Sequence, residues 1–68
     1  MKLRNNIRVQ RAIRDITQEE LAAEVGVTRK TINTIENGIF VPSTVLAIKL
    51  ARYFGIAVEE LFSLGEEE

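Results

Sequence analysis

Two helix signals separated by a glycine, between residues 17 and 37, constrain this chain more than any other feature. Thr17 is followed three positions later by Glu20, which is the spacing of a capping box at a helix N-terminus. Gly26 follows the apolar positions of that helix and suits a left-handed residue that ends it. Thr28 can then cap a second helix. The sequence therefore predicts two short helices joined by a tight turn, which is the pattern of a helix-turn-helix unit.

The second of these helices has one apolar and one polar side. At about 100° per residue, Ile32 and Ile35 lie within about 60° of each other, and the opposite wedge is roughly 140° wide. The side chains in that wedge can bond base edges and phosphates in a major groove; they are Arg29, Lys30, Asn33, Thr34 and Asn37. Positive charge in the first turn opposes the helix dipole unless a polyanion binds there. A solvated polar face is the alternative, but the capped helix and the glycine turn before it favour DNA binding.

Composition limits what else the chain can be. Its 68 residues predict a single domain, 1–68, and with no cysteine and no histidine we expect neither a metal nor a cofactor. An enzyme is not expected, because the adjacent acids Glu19 and Glu20, like Glu59 and Glu60, diverge by about 100° around a helix. No apolar run reaches the roughly 18 residues of a membrane span, and residues 1–14 lack a signal-peptide core. We therefore expect a soluble cytoplasmic protein.

Charge is distributed unevenly along the chain. The net charge is −1, but residues 1–34 hold seven basic and four acidic side chains, a balance of +3, and residues 35–68 hold two and six, a balance of −4. The basic half contains the polar helix face, as the electrostatic footprint of a DNA-binding protein should. The acidic half is expected to point away from DNA.

The first helix is predicted to run from a cap at Asn5 or Asn6 to about Arg14. Its inward positions are expected to include Ile7 and Ile13, with Val9 or Gln10 as a further candidate. Asp15 follows in a linker and tolerates a positive φ better than most residues. Farther along, Phe40 is expected to fill the core between helices.

The segment after Pro42 carries more apolar residues than one core needs. Ser43 can cap a helix that ends at Gly55, and on it Val45, Ile48 and Tyr53 lie outside the core-facing stripe. This surplus predicts a subunit contact.

At the chain ends, Met1 and Leu3 alternate with basic residues, and Phe62 and Leu64 alternate with Ser63. The two ends are predicted to pair as a short ribbon, with a frayed N-terminus as the alternative, and residues 65–68 to form a solvated acidic tail.

Several motifs together resemble the phage-repressor and Cro-like helix-turn-helix family, also called the xenobiotic-response-element family. They are TQEELA (17–22), VGVTRKTI (25–32), IENG (35–38), PS (42–43) and LARYFGIAVEELF (50–62). The resemblance implies an all-α fold, a compact, lambda-repressor-like bundle of four or five helices. It also implies sequence-specific binding of double-stranded DNA as a homodimer, mostly in repression. Short members of the family often join their two ends in a ribbon and dimerise through the fourth and fifth helices.

By the same resemblance, individual residues acquire expected roles. Arg29, Lys30, Asn33 and Thr34 would contact base edges. Gln18, Thr28 and Asn37 would contact phosphates, and Gln18 would also brace the recognition helix. Arg11 and Glu36 would form a partly buried ion pair, although Glu36 can also be an ordinary surface acid. The expected dimer interface comprises Val45, Ile48, Phe62 and Leu64.

Three positions depart from the family pattern. Ile39 stands where a basic residue often grips the DNA backbone, Gln10 where Leu is usual, and Ala57 where Ser, Thr or Pro is common. The loss of a phosphate contact at Ile39 lowers the expected affinity.

From the helix-turn-helix pattern and the resemblance together, we predict a dimeric transcriptional regulator, most simply a repressor, that reads a roughly palindromic operator with residues 29–37. The alternative is a protein-protein interaction module, or an antitoxin-like partner, on the same fold.

Overall fold

The computed structural model describes residues 2–65, which form five helices and a two-stranded antiparallel ribbon. In chain order the elements are β1 (Lys2–Asn5), α1 (Ile7–Arg14), α2 (Gln18–Val25), α3 (Arg29–Glu36), α4 (Thr44–Phe54), α5 (Val58–Leu61) and β2 (Phe62–Gly65). The predicted all-α bundle with a ribbon joining its ends is confirmed. The longest helix, α4, has 11 residues, and no helix in residues 2–65 is long and apolar enough to cross a bilayer.

The ends of α2 are set by local chemistry. Thr17 Oγ1 accepts from the Glu20 N–H at 3.0 Å, and Glu20 Oε1 accepts from the Thr17 N–H at 2.9 Å, so the capping box is complete. Gly26 ends the helix with φ 78°, a left-handed conformation that glycine adopts without a steric penalty. Both predictions are confirmed, and Gly26 lies in the turn that leads from α2 to α3.

The other helix termini use several kinds of cap. Ser43 Oγ accepts from the Leu46 N–H at 3.1 Å, and Asp15 ends α1 with φ 56°, both as expected. Asn6 makes no side-chain cap; instead, Asn5 Oδ1 accepts from the Ile7 N–H at 3.1 Å. Ala57 cannot cap α5 with its own side chain, and Glu60 Oε1 accepts from its N–H at 2.8 Å. The carboxylate thus supplies one half of a capping box.

The core consists of apolar residues from every helix and from β2. Its buried members are Ile7, Leu21, Ala22, Val25, Ile32, Ile35, Leu46, Leu50, Ala51, Phe54, Leu61 and Phe62. From α1 only Ile7 is buried; Ile13 is 67% exposed and Val9 is 55% exposed, so the inward prediction for them is wrong. At about 100° per residue Ile13 lies about 120° from Ile7, whereas Arg11 lies only about 40° away. The inward side of α1 therefore continues with an arginine.

Phe40, in the loop between α3 and α4, was expected to enter the core but does not. The N–H groups of Ile39 and Phe40 both donate to the Thr34 carbonyl oxygen, at 2.9 and 3.2 Å, which folds the loop back onto the end of α3. Phe40 remains 49% exposed and Ile39 77% exposed. The prediction that Phe40 fills the core is wrong, because the buried aromatic rings are those of Phe54 and Phe62.

The ribbon joins the two ends of the described chain. Leu3 pairs with Leu64, Asn5 with Phe62 and Lys2 with Gly65. Gly65 is therefore a buried strand residue rather than the start of a solvated tail. A Cβ atom there would lie 2.4 Å from Arg4 Nε, so the Arg4 side chain occupies the space that a larger residue would need. Met1 and the rest of the predicted tail, 66–68, lie outside the described residues.

Candidate nucleic-acid interface

Helix α3 presents a basic N-terminal turn to the outside and an apolar stripe to the core. Ile32 is 0% and Ile35 1% exposed, whereas Arg29 and Lys30 are exposed. Neither of these cations forms a hydrogen bond or an ion pair with any other residue in 2–65. Two unpaired cations at a positive helix N-terminus create a local field that attracts an anion.

Gln18, the first residue of α2, links that helix to α3. Its Nε2 donates to Asn33 Oδ1 at 3.1 Å and to Glu36 Oε1 at 3.0 Å. Because Oδ1 of Asn33 is the acceptor in this bond, its amide N–H groups are left to donate outward. Such donors match the N7 and O6 acceptors that purines present in the major groove. The Gln18 amide thus fixes the angle between α2 and α3. It also fixes which end of the Asn33 amide, the nitrogen, points outward.

The Glu36 carboxylate lies at the centre of a buried polar cluster. Its side chain is 0% exposed, Oε2 accepts from Arg11 Nε at 2.6 Å, and Oε1 accepts from Arg11 Nη2 at 3.1 Å. Arg8 Nε lies 3.4 Å from Oε1. Burial alone would raise the pKa of Glu36, but hydrogen bonds from Arg11 and Gln18 and the charges of Arg11 and Arg8 outweigh it and hold that pKa below its ordinary value. The carboxylate is therefore ionised at neutral pH.

Arg11 connects three elements through one guanidinium group. Besides its two bonds to Glu36, Nη1 donates to the carbonyl of Ile16, at the entry to α2, at 3.0 Å. The bond to Glu36 raises the pKa of Arg11 although burial opposes it. The planar group thus fixes α1, the α1–α2 linker and the end of α3 together. No group of three or more His, Cys, Asp or Glu side chains within residues 2–65 is arranged to hold a metal ion.

The threonines of the interface use their hydroxyl groups within α3 itself. Thr28 Oγ1 accepts from the Thr31 N–H at 3.2 Å and lies 3.0 Å from Thr31 Oγ1. Thr34 Oγ1 donates to the Thr31 carbonyl at 3.0 Å. The hydroxyl proton of Thr34 is therefore occupied, which leaves its methyl group and the acceptor lone pairs of Oγ1 for an outside contact. Sequence reasoning treated Thr34 as a polar reader and did not single out Thr31.

Basic residues outside α3 surround its C-terminal end. Arg8 Nη2 donates to Asn37 Oδ1 at 3.1 Å, and Arg8 has a side chain that is 64% exposed. A Cβ atom at Gly38 would lie 3.9 Å from Lys2 Cε, so β1 brings Lys2 beside the Asn37–Gly38 turn. Sequence reasoning missed both roles. The excess of basic residues before position 15 was the signal, but only the fold shows which of them reach α3.

The four residues expected in a dimer interface differ in exposure. Val45 is 65%, Ile48 42% and Leu64 66% exposed. Phe62 is only 7% exposed and packs in the core, because its strand position turns it toward α5 and the bundle. It therefore offers little surface to a partner, and of the four residues only Val45, Ile48 and Leu64 are exposed.

Comparisons with known proteins agree with this geometry. A helix-turn-helix family model matches residues 7–61. An uncharacterised HTH-type transcriptional regulator of Methanocaldococcus jannaschii is 41% identical over 66 residues, covering 97% of this chain and 100% of that one. The cryptic phage CTXphi transcriptional repressor RstR of Vibrio cholerae is 37% identical over 62 residues, covering 91% of this chain and 56% of its own. A Bacteroides fragilis crystal structure with 24% identity shows the same fold, with a TM-score of 0.79, and the match covers 90% of this chain and 98% of that chain.

Proposed function

The chain belongs to the helix-turn-helix family of transcriptional regulators, and from that membership we propose that it binds a roughly palindromic DNA operator as a homodimer and represses transcription there. Helix α3 enters the major groove. Arg29, Lys30 and Asn33 contact base edges, and Thr34 lies against them on the same face. Repression is supported by the similarity to a phage transcriptional repressor, since a bound dimer can block access to the DNA that it covers.

The observation that carries this proposal is the preorganised face of α3. Gln18 bonds both Asn33 and Glu36, and Arg11 bonds Glu36 twice, so α3 is held against α1 and α2 before any DNA arrives. Arg29 and Lys30 have no partner among the described residues and are available to guanine O6 and N7. A side chain held before binding loses less conformational entropy on binding.

Phosphate contacts would flank this face on two sides. Gln18 and Thr28 begin α2 and α3, where backbone N–H groups favour anions. At the other end, Asn37 is accompanied by Arg8 and Lys2. These two cations supply positive charge beside the position where Ile39 replaces the basic residue of the family. The phosphate contacts would fix the register of α3 on the duplex without reading sequence.

Dimerisation is supported by the exposed apolar residues of α4 and β2. Val45 and Ile48 are three positions apart and therefore share one face of α4, and Leu64 is exposed on β2. In a two-fold dimer the two copies of α3 would lie about 34 Å apart, one turn of DNA, which requires two similar half-sites.

The test is a selection of bound sequences from a randomised duplex pool at low salt, followed by binding measurements on the enriched duplex. The wild type runs beside Arg29→Ala/Lys30→Ala. The matched control is Lys49→Ala/Arg52→Ala, which removes the same two charges from exposed positions on α4. Because these positions share a face of α4 with Val45 and Ile48, sedimentation checks that the control keeps the oligomeric state of the wild type. We expect a near-palindrome for the wild type and the control, and none for the α3 variant.

Two results would contradict the proposal. If the wild type enriches no sequence, the protein-interaction alternative replaces DNA reading. If both double variants keep the oligomeric state of the wild type and lose binding equally, the effect comes from net charge, and α3 is not the reading element. The spacing between the enriched half-sites separately tests whether the two copies of α3 in a dimer lie one turn of DNA apart.

A further inference from the structure

An apolar pocket opens beside the basic turn of α3. It is lined by Lys30, Thr31, Thr34, Ile39 and Phe40. Lys30 and Thr34 also belong to the face expected to contact base edges, so the pocket continues that face toward the loop. Ile39 is 77% and Phe40 49% exposed. Exposed apolar side chains of this size, beside the face of α3 proposed to contact base edges, indicate that an apolar group binds there.

The backbone builds this pocket. The Thr34 carbonyl accepts from both Ile39 and Phe40, at 2.9 and 3.2 Å, and the Gly38 N–H donates to the Ile35 carbonyl at 3.0 Å. Gly38 has φ 75°, which an L-residue with a side chain rarely adopts. The turn therefore reverses the chain within two residues and holds Ile39 and Phe40 against the last turns of α3.

The hydroxyl groups of the two threonines in the pocket both take part in hydrogen bonds within the protein. Thr34 Oγ1 donates to the Thr31 carbonyl at 3.0 Å, and Thr31 Oγ1 lies 3.0 Å from Thr28 Oγ1. The pocket is lined mostly by apolar groups, and Lys30 is the one cation among its lining residues.

We propose that this pocket receives the 5-methyl group of a thymine in each half-site and so specifies that base. This inference rests on the proposed DNA-reading function and deepens it. Among the four bases only thymine presents a methyl group in the major groove, and apolar side chains are its usual partners. The Lys30 ammonium group would then donate to an acceptor of a neighbouring base pair. The thymine methyl contact would therefore lie next to a base that Lys30 contacts.

The experiment is a methyl scan of the selected operator. Each thymine is replaced in turn by deoxyuridine, which removes the methyl group and leaves every hydrogen-bonding group in place. Burying one methyl group changes affinity by about fourfold per half-site. We expect a loss of this size at one thymine of the half-site for the wild type, and no loss at that position for Ile39→Ala or Phe40→Ala.

Val41→Ala is the matched control, since Val41 is also an exposed apolar loop residue, 64% exposed, and does not line the pocket. It should keep the wild-type response. Circular dichroism melting checks that each variant is folded, and sedimentation checks its oligomeric state.

The outcomes separate this inference from the function on which it rests. A sequence-specific wild type that tolerates every deoxyuridine overturns the methyl pocket and leaves DNA reading intact. Persistence of the response in both pocket variants also overturns it, because Thr34 would then suffice. Loss of dimerisation in Ile39→Ala would make the pocket a subunit contact. If the wild type binds no sequence specifically, both the function and the pocket fail.

Discussion

The side-chain amide of Gln18 donates to Oδ1 of Asn33 at 3.1 Å, and this bond joins the start of α2 to the middle of α3. The same Nε2 donates to Glu36 at 3.0 Å. Gln18 therefore determines which group of the Asn33 amide is left for an outside partner as well as how the two helices meet. Without it, the Asn33 amide is free to rotate and to present either its oxygen or its nitrogen.

Gln18→Ala is expected to relax sequence preference and to lower stability. The lost bond to Asn33 is neutral and costs about 1 kcal/mol, whereas the lost bond to the ionised Glu36 carboxylate costs about 1.5–3 kcal/mol. Discrimination at the base that Asn33 is proposed to contact should fall toward zero. Operator variants at that position measure the discrimination, and urea unfolding measures the stability. Glu19→Ala, an exposed neighbour in the same helical turn, is the control. Unchanged discrimination in Gln18→Ala would contradict the bracing role.

Arg11→Met should be strongly destabilising. It leaves the Glu36 carboxylate buried without its main partner, and breaking one side of a buried pair costs about 3–5 kcal/mol. Glu36→Gln should cost less, because an amide can still accept from Gln18. The double variant Arg11→Met/Glu36→Leu should recover part of the loss, since an apolar pair needs no counter-charge. Additive losses in a double-mutant cycle would show that the two residues do not interact.

The pKa of Glu36 predicts how stability responds to acid. Because this pKa is depressed in the folded state, the carboxylate stabilises the fold fully above its ordinary pKa of 4.5, the value expected in the unfolded chain. That contribution is lost as pH falls through the lower folded-state pKa. Urea midpoints measured from pH 7 down to acidic pH should therefore fall more steeply below pH 4.5 for the wild type than for Glu36→Gln. Glu24→Gln, an exposed acid on α2, should follow the wild-type curve.

Arg8→Ala is expected to weaken binding to all DNA sequences by a similar factor. Arg8 bonds Asn37 at the C-terminal end of α3, where a cation can reach a phosphate without contacting a base. Loss of one phosphate contact should reduce the slope of log K against log salt by about 1. Binding at several salt concentrations measures that slope, with Lys49→Ala as the control on α4. A selective loss at one operator position would instead assign Arg8 to base reading.

Ile48→Glu is expected to give a folded monomer with weakened operator binding. Ile48 is 42% exposed, so a charge there leaves the core unchanged and disfavours only a contact with a second copy. Ile13→Glu, at a 67% exposed position on α1, is the matched control and should remain both folded and dimeric. Sedimentation and circular dichroism measure the two properties. A monomeric Ile13→Glu variant would move the interface to α1.

Sequence reasoning succeeded where structure is decided locally. The Thr17–Glu20 capping box, the Ser43 cap and the left-handed Gly26 depend on residues within one helical turn, and each is present in the fold. The alternation of Leu3 and of Leu64 predicted the ribbon, although only tertiary contact decides whether two such ends meet.

It failed where a choice depends on several elements at once. Ile13 is apolar and near the end of α1, but the side of α1 that faces inward is the side of Arg11, because Arg11 bonds the buried Glu36 carboxylate. Phe40 is large and apolar, but the Thr34 carbonyl holds it outside. The Thr34 hydroxyl donates to the Thr31 carbonyl within the same helical turn, and contact between Thr34 and a base edge stays a prediction.

The pairing of Lys2 with Gly65 has a consequence for the order in which the chain folds. These partners stand at opposite ends of the described chain, and closing so long a loop carries a large entropic cost. The helices reduce that cost by bringing the ends together, so we infer that the ribbon forms last and opens first. The helix-turn-helix unit, in contrast, assembles from neighbours in sequence, and such local contacts form faster than the pairing of distant ends.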